Sequence, residues 1–122
     1  MEVKLYTVRI FVHDWDAACR FYGETLGLAE KFRSAEDGWA EFDVGGPSLG
    51  VERVEAGDDE GASMVGRFVG VSLVVDDIGA VYNELLAKGV AFAEPPQQQS
   101  WGGTLCHLKD PSGNILTLLS TP

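Results

Sequence analysis

The stretch Val8-Arg9-Ile10-Phe11-Val12-His13-Asp14 and the stretch Val71-Ser72-Leu73-Val74-Val75-Asp76-Asp77, which begins 63 residues later, decide the fold. Each alternates apolar residues with mixed ones, which is the period-two pattern of a half-buried β-strand. Each ends on an aspartate, Asp14 or Asp77, whose carboxylate can accept a hydrogen bond from the first turn of a helix. The two stretches therefore predict two strands, each leading into a capped helix.

A helix with one apolar face is predicted after each aspartate, and each helix ends at a glycine. Gly27 and Gly89 supply the stops, because glycine adopts the left-handed conformation in which helices commonly end. The segments align without a gap from the strand into the helix, and a cap, an apolar face and a glycine stop occur in both, which indicates an internal duplication. The aligned positions are Val8, Ile10, Val12, Asp14 and Ala17 on Val71, Leu73, Val75, Asp77 and Ala80. The apolar positions are Ala18, Phe21, Tyr22, Thr25 and Leu26 in the first helix and Ile78, Val81, Tyr82, Leu85 and Leu86 in the second.

Three strand-like runs follow each predicted helix, so the sequence predicts an α+β fold of two βαβββ modules with cupped mixed sheets. We predict a single domain over residues 1–122, with a first module at 1–55, a linker without an element of its own at 56–67, and a second module at 68–122. The strand runs are Ala29–Ser34, Trp39–Val44 and Ser48–Val54 in the first module, and Val90–Ala93, Thr104–Lys109 and Asn114–Leu119 in the second.

Charge and cysteine usage narrow the range of functions. Nine Lys and Arg stand against nineteen Asp and Glu, which gives a net charge of −10. Such a chain repels phosphate backbones and anionic membranes, so we expect no nucleic-acid or membrane partner. Cys19 and Cys106 lack metal-binding or redox spacing and are expected to be buried and reduced. No signal-peptide pattern or long apolar run is present, and we expect a cytoplasmic protein.

Strand alternation gives each first strand a helix-facing side and a second, more polar side. The second side carries small and mixed residues, which is typical of the wall of a cavity. In the first module the helix side holds Val8, Ile10 and Val12, and the other side holds Thr7, Arg9, Phe11 and His13; in the second module these sides hold Val71, Leu73 and Val75, and Gly70, Ser72 and Val74.

The chain resembles the vicinal oxygen chelate superfamily, which includes glyoxalase I, bleomycin-resistance proteins and extradiol dioxygenases. The resemblance covers nearly the whole chain and is strongest at residues 18–22, at Leu26-Gly27-Leu28 and at Asp110-Pro111-Ser112-Gly113-Asn114-Ile115-Leu116. It implies two βαβββ modules that curl into a half-open barrel with a ligand cleft inside the cupped sheets. It also implies a homodimer, and the modules can pair within one chain or between two.

The resemblance places the metal ligands of the family's enzymes on Thr7, Glu52, Gly70 and Thr117. Only Glu52 is an ordinary ligand, because glycine offers no side chain and neutral threonine hydroxyls bind such ions poorly. We therefore predict that the metal site is lost and that the protein carries no cofactor.

Two residues are candidates for chemistry. Glu52 is either a carboxylate on the cavity wall, acting as a base or holding a cationic ligand, or one partner of a buried ion pair with Arg9 on the neighbouring strand. His107 alternates with core-facing residues and is expected to face the cavity, where it can hydrogen-bond a ligand or transfer a proton. A structural role is the alternative for His107, and the same two interpretations apply to His13.

An aromatic and acidic groove is the remaining candidate site. Aromatic residues on or near the cavity face can stack on flat ligands, and carboxylates beside them can attract a cation. Packing in a dimer interface and a solvated acidic edge are the alternatives. The predicted ligand-binding residues are Arg9, Phe11, Trp39, Glu41, Asp43, Ser72 and Trp101, the last in a polar loop at 97–103 that we expect to act as a mobile lip.

Three functional hypotheses follow. The first is a metal-free small-molecule binding protein of the bleomycin-resistance type, which sequesters a cationic or aromatic compound, as antibiotic-resistance proteins do. The alternative is a glyoxalase-like lyase or isomerase that acts on a small carbonyl compound through Glu52 and His107. A pure interaction module, resting on the expected homodimer alone, is the third.

Overall fold

The computed structural model describes all residues from Met1 to Pro122, and the chain divides into two compact units, Met1–Gly66 and Arg67–Pro122. The α+β fold predicted from the sequence is confirmed, and each unit contains one mixed sheet. The boundary between the units falls at the end of the segment that we expected to be a linker.

The first unit contains a four-stranded sheet in the order β1-β4-β3-β2. Strands β1 and β4 run parallel, and the other neighbours are antiparallel. The strands are β1 (Thr7–Val12), β2 (Glu30–Ser34), β3 (Trp39–Asp43) and β4 (Ser48–Arg53). The order leaves β1 at one edge of the sheet.

Helix α1 (Trp15–Arg20) follows β1 and continues as a π-helical turn over Phe21–Thr25. The carboxylate of Asp14 accepts a hydrogen bond from the backbone N–H of Ala17 at 3.0 Å, so the predicted cap is confirmed. Gly27 has a φ of +73°, which is the left-handed stop expected there. The π-helical turn was not predicted; it buries Phe21 and Tyr22 together.

The second unit contains a five-stranded sheet in the order β5-β9-β8-β6, with β7 also paired to β8. Asp77 caps α3 (Ile78–Ala87) through the N–H of Ala80 at 3.0 Å, and Gly89 has a φ of +86°. The strands are β5 (Phe68–Val74), β6 (Ala91–Phe92), β7 (Gln97–Gln98), β8 (Thr104–Lys109) and β9 (Ile115–Ser120).

Each unit has its own apolar core between the helix and one face of the sheet. Trp15 anchors α1 to the first sheet, since its indole N–H donates to the carbonyl of Val51 at 3.1 Å. The deeply buried apolar residues are Ile10, Val12, Tyr22, Ala40, Phe42, Leu49 and Val51 in the first unit, and Leu85, Cys106, Leu108, Leu116 and Leu118 in the second.

Both cysteines are free and buried, as expected. Burial raises the pKa of the Cys19 thiol, and it raises the pKa of Cys106 to about 11. Neither thiol is therefore ionised to a useful extent near neutral pH. No helix is long and apolar enough to cross a membrane.

Three local expectations were wrong. The segment 56–67 contains a short helix, α2 (Asp59–Ala62), because the Asp58 carboxylate accepts from the N–H of Gly61 at 2.9 Å and caps it. The polar loop after β6 contributes the strand β7. Leu86, placed on the apolar face of α3, is 44% exposed, since it lies about 80° around the helix axis from Ile78.

Candidate functional site

The first sheet has a face turned away from α1, and we call it the first open face. In the strand registers, Arg9 and Glu41 flank Gly50, and Phe11 and Trp39 flank Glu52. The predicted residues Arg9, Phe11, Trp39, Glu41 and Glu52 therefore share one surface. The face consists of Thr7, Arg9 and Phe11 from β1, Ser48, Gly50 and Glu52 from β4, and Trp39, Glu41 and Asp43 from β3.

Arg9 and Glu52 form a bidentate ion pair. Arg9 Nε lies 2.9 Å from Glu52 Oε1, and Nη2 lies 3.0 Å from Oε2. The hydrogen bond to Glu52 raises the pKa of Arg9. The ion pair was one of the two interpretations of Glu52, but the burial expected for it is wrong: the side chains are 54% and 31% exposed, because Arg9 stands on an edge strand. An exposed pair stabilises the fold by only about 0–1 kcal/mol, so its partners can be exchanged.

Trp39 lies across the middle of the first open face. A Cβ atom built on Gly50 would stand 2.2 Å from Trp39 Cη2, so the indole rests directly on the glycine. The indole N–H donates to Glu41 Oε2 at 2.9 Å, which fixes the ring in this position. Trp39 is thus held on the surface by a neighbour on its own strand.

The carboxylates of β3 do not form the open acidic groove that the sequence predicted. Glu41 is only 7% exposed and accepts hydrogen bonds from the hydroxyl of Tyr6 and from Trp39. The pKa of Glu41 is lowered, mainly by the hydrogen bond from Tyr6 and to a smaller extent by that from Trp39. The hydrogen bond between Tyr6 and Glu41 also raises the pKa of Tyr6. Asp43 is exposed and accepts from the N–H of Gly45 at 2.9 Å, so it shapes the following turn.

A pocket of about 200 Å³ opens at the end of the first open face, where β1 and β4 approach α2. Its apolar lining comes from Phe11, Val54 and Met64, and its charged lining includes the Arg9–Glu52 pair. The Arg9 guanidinium also stands 5.0 Å from the centre of the Phe11 ring. Glu60, Asp58, Gly61 and Arg53 complete the wall.

Sequence reasoning missed the contribution of residues 58–64 to this pocket. The segment was interpreted as a linker because of its glycines and acidic cluster, yet it supplies Asp58, Glu60, Gly61 and Met64 to the wall. The available signal was Asp58 three residues before Gly61, a capping spacing, followed by an isolated apolar Met64.

The positions carried over from the family's metal enzymes do not come together within the first unit. Thr7 is opposite Ser48 and Glu52 is opposite Phe11, so the two are separated by about 13 Å along the strands. The Thr7 hydroxyl donates to the carbonyl of Ser48 at 3.1 Å. No group of three or more His, Cys, Asp or Glu side chains is placed to hold a metal ion.

The second sheet presents a row of polar side chains on the face opposite Cys106 and Leu108. Ser72 on β5 pairs with Thr117 on β9, which pairs with His107 on β8. We call this row the second open face. Gly70, the remaining position implied by the resemblance, has a φ of +82° within an irregular stretch of β5.

His107 is held by a carboxylate that sequence reasoning did not single out. Glu94 Oε1 lies 2.7 Å from His107 Nδ1 and accepts the backbone N–H of His107 at 2.9 Å. No local sequence pattern predicts this contact, because Glu94 lies in the turn region between β6 and β7.

Trp101 lies in the turn between β7 and β8 and is 53% exposed. Its ring packs on Gly103, where a Cβ atom would stand 1.9 Å from Trp101 Cζ3. The N–H of Gln99 donates to the carbonyl of Gly103 at 2.7 Å and closes the turn. The predicted lip is therefore the tip of a hydrogen-bonded hairpin. His13, the other histidine, is exposed just after β1.

The comparisons with known proteins define the class. A family model described as the Glyoxalase/Bleomycin resistance protein/Dioxygenase superfamily matches residues 4–118. The chain therefore belongs to this superfamily, and the resemblance drawn from its motifs is confirmed.

Among the relatives, a bleomycin resistance protein from Klebsiella pneumoniae is 29% identical over 113 residues, covering 87% of this chain and 83% of the relative. A superfamily member from Sphaerobacter thermophilus has a solved structure with a TM-score of 0.83 at 28% identity, covering 99% of both chains. The structure of TnmS3, an antibiotic binding protein from Streptomyces sp. CB03234, matches with a TM-score of 0.77 at 25% identity, covering 99% and 98% of the two chains.

Proposed function

We propose that the protein binds a small cationic aromatic compound at the first open face and sequesters it without a bound metal. The observation that carries this proposal is the pocket of about 200 Å³ in which Phe11, Val54 and Met64 stand beside the carboxylates of Glu52 and Glu60. Three of the lining side chains are apolar and five are charged, so charge complementarity is expected to supply most of the selectivity of the pocket.

The exposed Arg9–Glu52 pair gives the site a way to accept a positive charge. A cationic group that enters the pocket can replace the Arg9 guanidinium at Glu52, and it can stack on Phe11, where Arg9 now lies. The exchange costs little because an exposed ion pair is weak. The net charge of −10 adds a long-range attraction for cations.

The names of two relatives support the same assignment, since one is a bleomycin resistance protein and another is an antibiotic binding protein. By extension from the family, we also propose a cytoplasmic homodimer. The lyase or isomerase alternative remains a prediction; it needs Glu52 to act as a base, whereas this carboxylate is engaged by Arg9.

Calorimetric titration with bleomycin, with the cationic dye proflavine and with the anion 9-anthracenecarboxylate tests the proposal. We expect the two cationic compounds to bind and the anion to bind at least tenfold more weakly. Chelator treatment should leave these affinities unchanged. Equal binding of the anion, or loss of binding after chelation that added divalent metal restores, would contradict the proposal.

The substitution Glu52→Gln locates the site. We expect it to weaken proflavine binding by about fivefold, because it removes a carboxylate and leaves the Arg9 charge in the pocket. Glu30→Gln is the matched control, since Glu30 also pairs with an arginine, Arg33, but lies outside the pocket. An equal effect of both variants would place the binding elsewhere.

A further inference from the structure

Two of the five charged side chains that line the pocket of the first open face are fully engaged in contacts that shape the fold. Asp58 Oδ1 accepts the N–H of Gly61 at 2.9 Å and caps α2. Arg53 uses all three nitrogens: Nε donates to Glu55 at 2.9 Å, and Nη1 and Nη2 donate to two carbonyls of the β2–β3 turn at 3.2 and 3.4 Å. Neither side chain is therefore available to a ligand.

Arg9 uses only one edge of its guanidinium. Nε and Nη2 donate to Glu52 at 2.9 and 3.0 Å, and Nη1 makes no hydrogen bond to the protein. A guanidinium carries five N–H donors in a planar fork, so the edge formed by Nη1 and Nη2 can hold a second carboxylate through two parallel hydrogen bonds. Gly50, the residue opposite Arg9 on β4, has no side chain that could reach this edge. The pocket therefore contains unused donors for an anion.

Glu60 supplies the opposite charge in the same pocket. It lines the wall from α2, is exposed, and forms no ion pair or side-chain hydrogen bond within the protein. Its backbone carbonyl, not its carboxylate, accepts from the Ser63 hydroxyl. A carboxylate without a partner is an acceptor for a cation. The lining thus combines unused donors, an unused acceptor and an apolar surface.

We propose that the ligand of this pocket is an aromatic zwitterion, a molecule that carries both an ammonium group and a carboxylate. This inference rests on the proposed function and specifies the class of compound that is bound. The ammonium group binds beside Glu60 and Glu52, and the carboxylate binds the open edge of Arg9. The ring packs on the apolar part of the wall.

Charge balance favours a zwitterion over a simple cation. A cation that replaces Arg9 at Glu52 leaves two positive charges side by side and the guanidinium without its partner. Glu41, the next carboxylate in this row, is buried and already accepts from Tyr6 and Trp39. A carboxylate on the ligand satisfies Arg9 whether the ion pair stays closed or opens. The second charge of the ligand therefore adds affinity instead of repulsion.

Calorimetric titration at neutral pH with three indole compounds tests the proposal. L-tryptophan is the zwitterion, tryptamine is the cation and 3-indolepropionate is the anion, so the shared ring leaves charge as the main difference. We expect L-tryptophan to bind at least fivefold more tightly than tryptamine, and 3-indolepropionate to bind most weakly. Binding of L-tryptophan that is equal to or weaker than that of tryptamine would overturn the proposal.

Arg9→Gln should act differently on the two amines. It removes the donors for the carboxylate and also the competitor for Glu52, so L-tryptophan should bind at least fivefold more weakly while tryptamine binding does not weaken. Arg33→Gln is the matched control, since Arg33 also pairs with a glutamate but lies outside the pocket, and it should change neither affinity. An equal loss for both amines in Arg9→Gln would refute the contact between Arg9 and the carboxylate.

Glu60→Gln tests the cationic end of the ligand. We expect it to weaken L-tryptophan and tryptamine alike by about fivefold. Asp59→Asn, on the same helix but outside the lining, is the control and should have no effect. Equal effects of these two variants would refute the role of Glu60.

Titration with proflavine distinguishes failure of this inference from failure of the proposed function. Proflavine that binds and depends on Glu52, together with no preference for L-tryptophan over tryptamine, would overturn the zwitterion alone. Failure of both proflavine and tryptamine to bind would overturn the proposed function.

Discussion

The two sheets carry equivalent rows of three residues, and these rows differ at their middle position, which is a glycine in the first sheet and a threonine in the second. The 63-residue repeat aligns β1 with β5, and the strand registers extend the alignment across each sheet. In the first unit the row across β1, β4 and β3 is Arg9, Gly50 and Glu41; in the second the row across β5, β9 and β8 is Ser72, Thr117 and His107.

The middle position explains the difference between the two rows. Gly50 has no side chain, so the indole of Trp39 can lie on the strand and donate to Glu41. Thr117 has a side chain at the equivalent position, and the histidine beside it takes its partner, Glu94, from outside the row. In the first row both charged side chains are therefore engaged, Arg9 by Glu52 and Glu41 by Trp39 and Tyr6, whereas the second row leaves one ring nitrogen of His107 without a hydrogen bond to the protein.

The same alignment clarifies the positions carried over from metal enzymes. Thr117 corresponds to Gly50, whereas Glu52, opposite Phe11, corresponds to Leu119, opposite Val74. Glu52 and Thr117 are thus not equivalent within the repeat. Glu52 is the one ordinary metal ligand among the four carried-over positions. It lies two residues along β4 from Gly50, the residue that corresponds to Thr117.

The largest effect should come from Gly50→Ala, which makes the first row resemble the second. The added Cβ would overlap Trp39 Cη2, so the indole must leave Gly50 and its hydrogen bond to Glu41. We expect a loss of about 1–3 kcal/mol in the free energy of unfolding, as for other overpacked sites. Urea unfolding measures the loss, and ¹⁹F NMR of 5-fluorotryptophan-labelled protein should show one tryptophan signal displaced.

Gly46→Ala is the control for this prediction. A Cβ atom at Gly46 meets nothing within 4 Å, and its backbone does not require glycine. This substitution should change neither the unfolding free energy nor the tryptophan signals. If Gly50→Ala behaves like Gly46→Ala, the indole does not rest on Gly50, and the contrast between the rows is lost.

Glu41→Gln should have the next largest effect, about 1–2 kcal/mol at neutral pH, because it weakens charge-assisted hydrogen bonds to a buried carboxylate. The pKa of Glu41 is lowered in the folded protein, chiefly by the bond from Tyr6. Its stabilisation is therefore complete above the pKa of the unfolded chain, near 4.3, and is lost as the pH falls through the folded value.

Unfolding measured from neutral to acidic pH tests the sign of this effect. The difference in unfolding free energy between wild type and Glu41→Gln should shrink as the pH falls below about 4. Asp43→Asn is the control, because Asp43 lies on the same strand but is exposed and binds only the turn. A difference that grows on acidification would show that the carboxylate does not stabilise the fold in its ionised form.

The frame of both units could be predicted from the sequence because local chemistry determines it. Asp14 and Asp77 cap the helices through hydrogen bonds to backbone N–H groups three residues further on. Gly27 and Gly89 end the helices through their own left-handed backbone conformation. Alternation in β1 placed Arg9 on the cavity face, and the fold implied by the family resemblance placed β1 beside the strand that carries Glu52, so an ion pair was one of the two interpretations of Glu52. The exposure of this pair was not predicted, since alternation assigns a face without showing what covers it.

The details of the candidate sites depend on contacts that no local pattern encodes. Glu41 was expected to be an open carboxylate, yet Tyr6, 35 residues away, buries its charge in a hydrogen bond. Glu94 reaches His107 from a turn, and Met64 reaches the pocket from a segment interpreted as a linker. Each depends on how a loop or terminal segment returns to the sheet.

Removal of a helix cap should have the smallest effect on the free energy of unfolding. The two caps also show whether the two modules, which are equivalent in geometry, are equivalent in stability. Asp14→Ala and Asp77→Ala each remove one side-chain acceptor from a helix N-terminus, at 3.0 Å in both cases. We expect a loss of about 1 kcal/mol in the free energy of unfolding for each, measured by urea titration. Asp14→Asn and Asp77→Asn, which keep a capping oxygen, should restore most of it. A much larger loss at Asp14 would show that α1 and its π-helical turn depend on the cap more than α3 does, and the repeat would then be equivalent in geometry but not in stability.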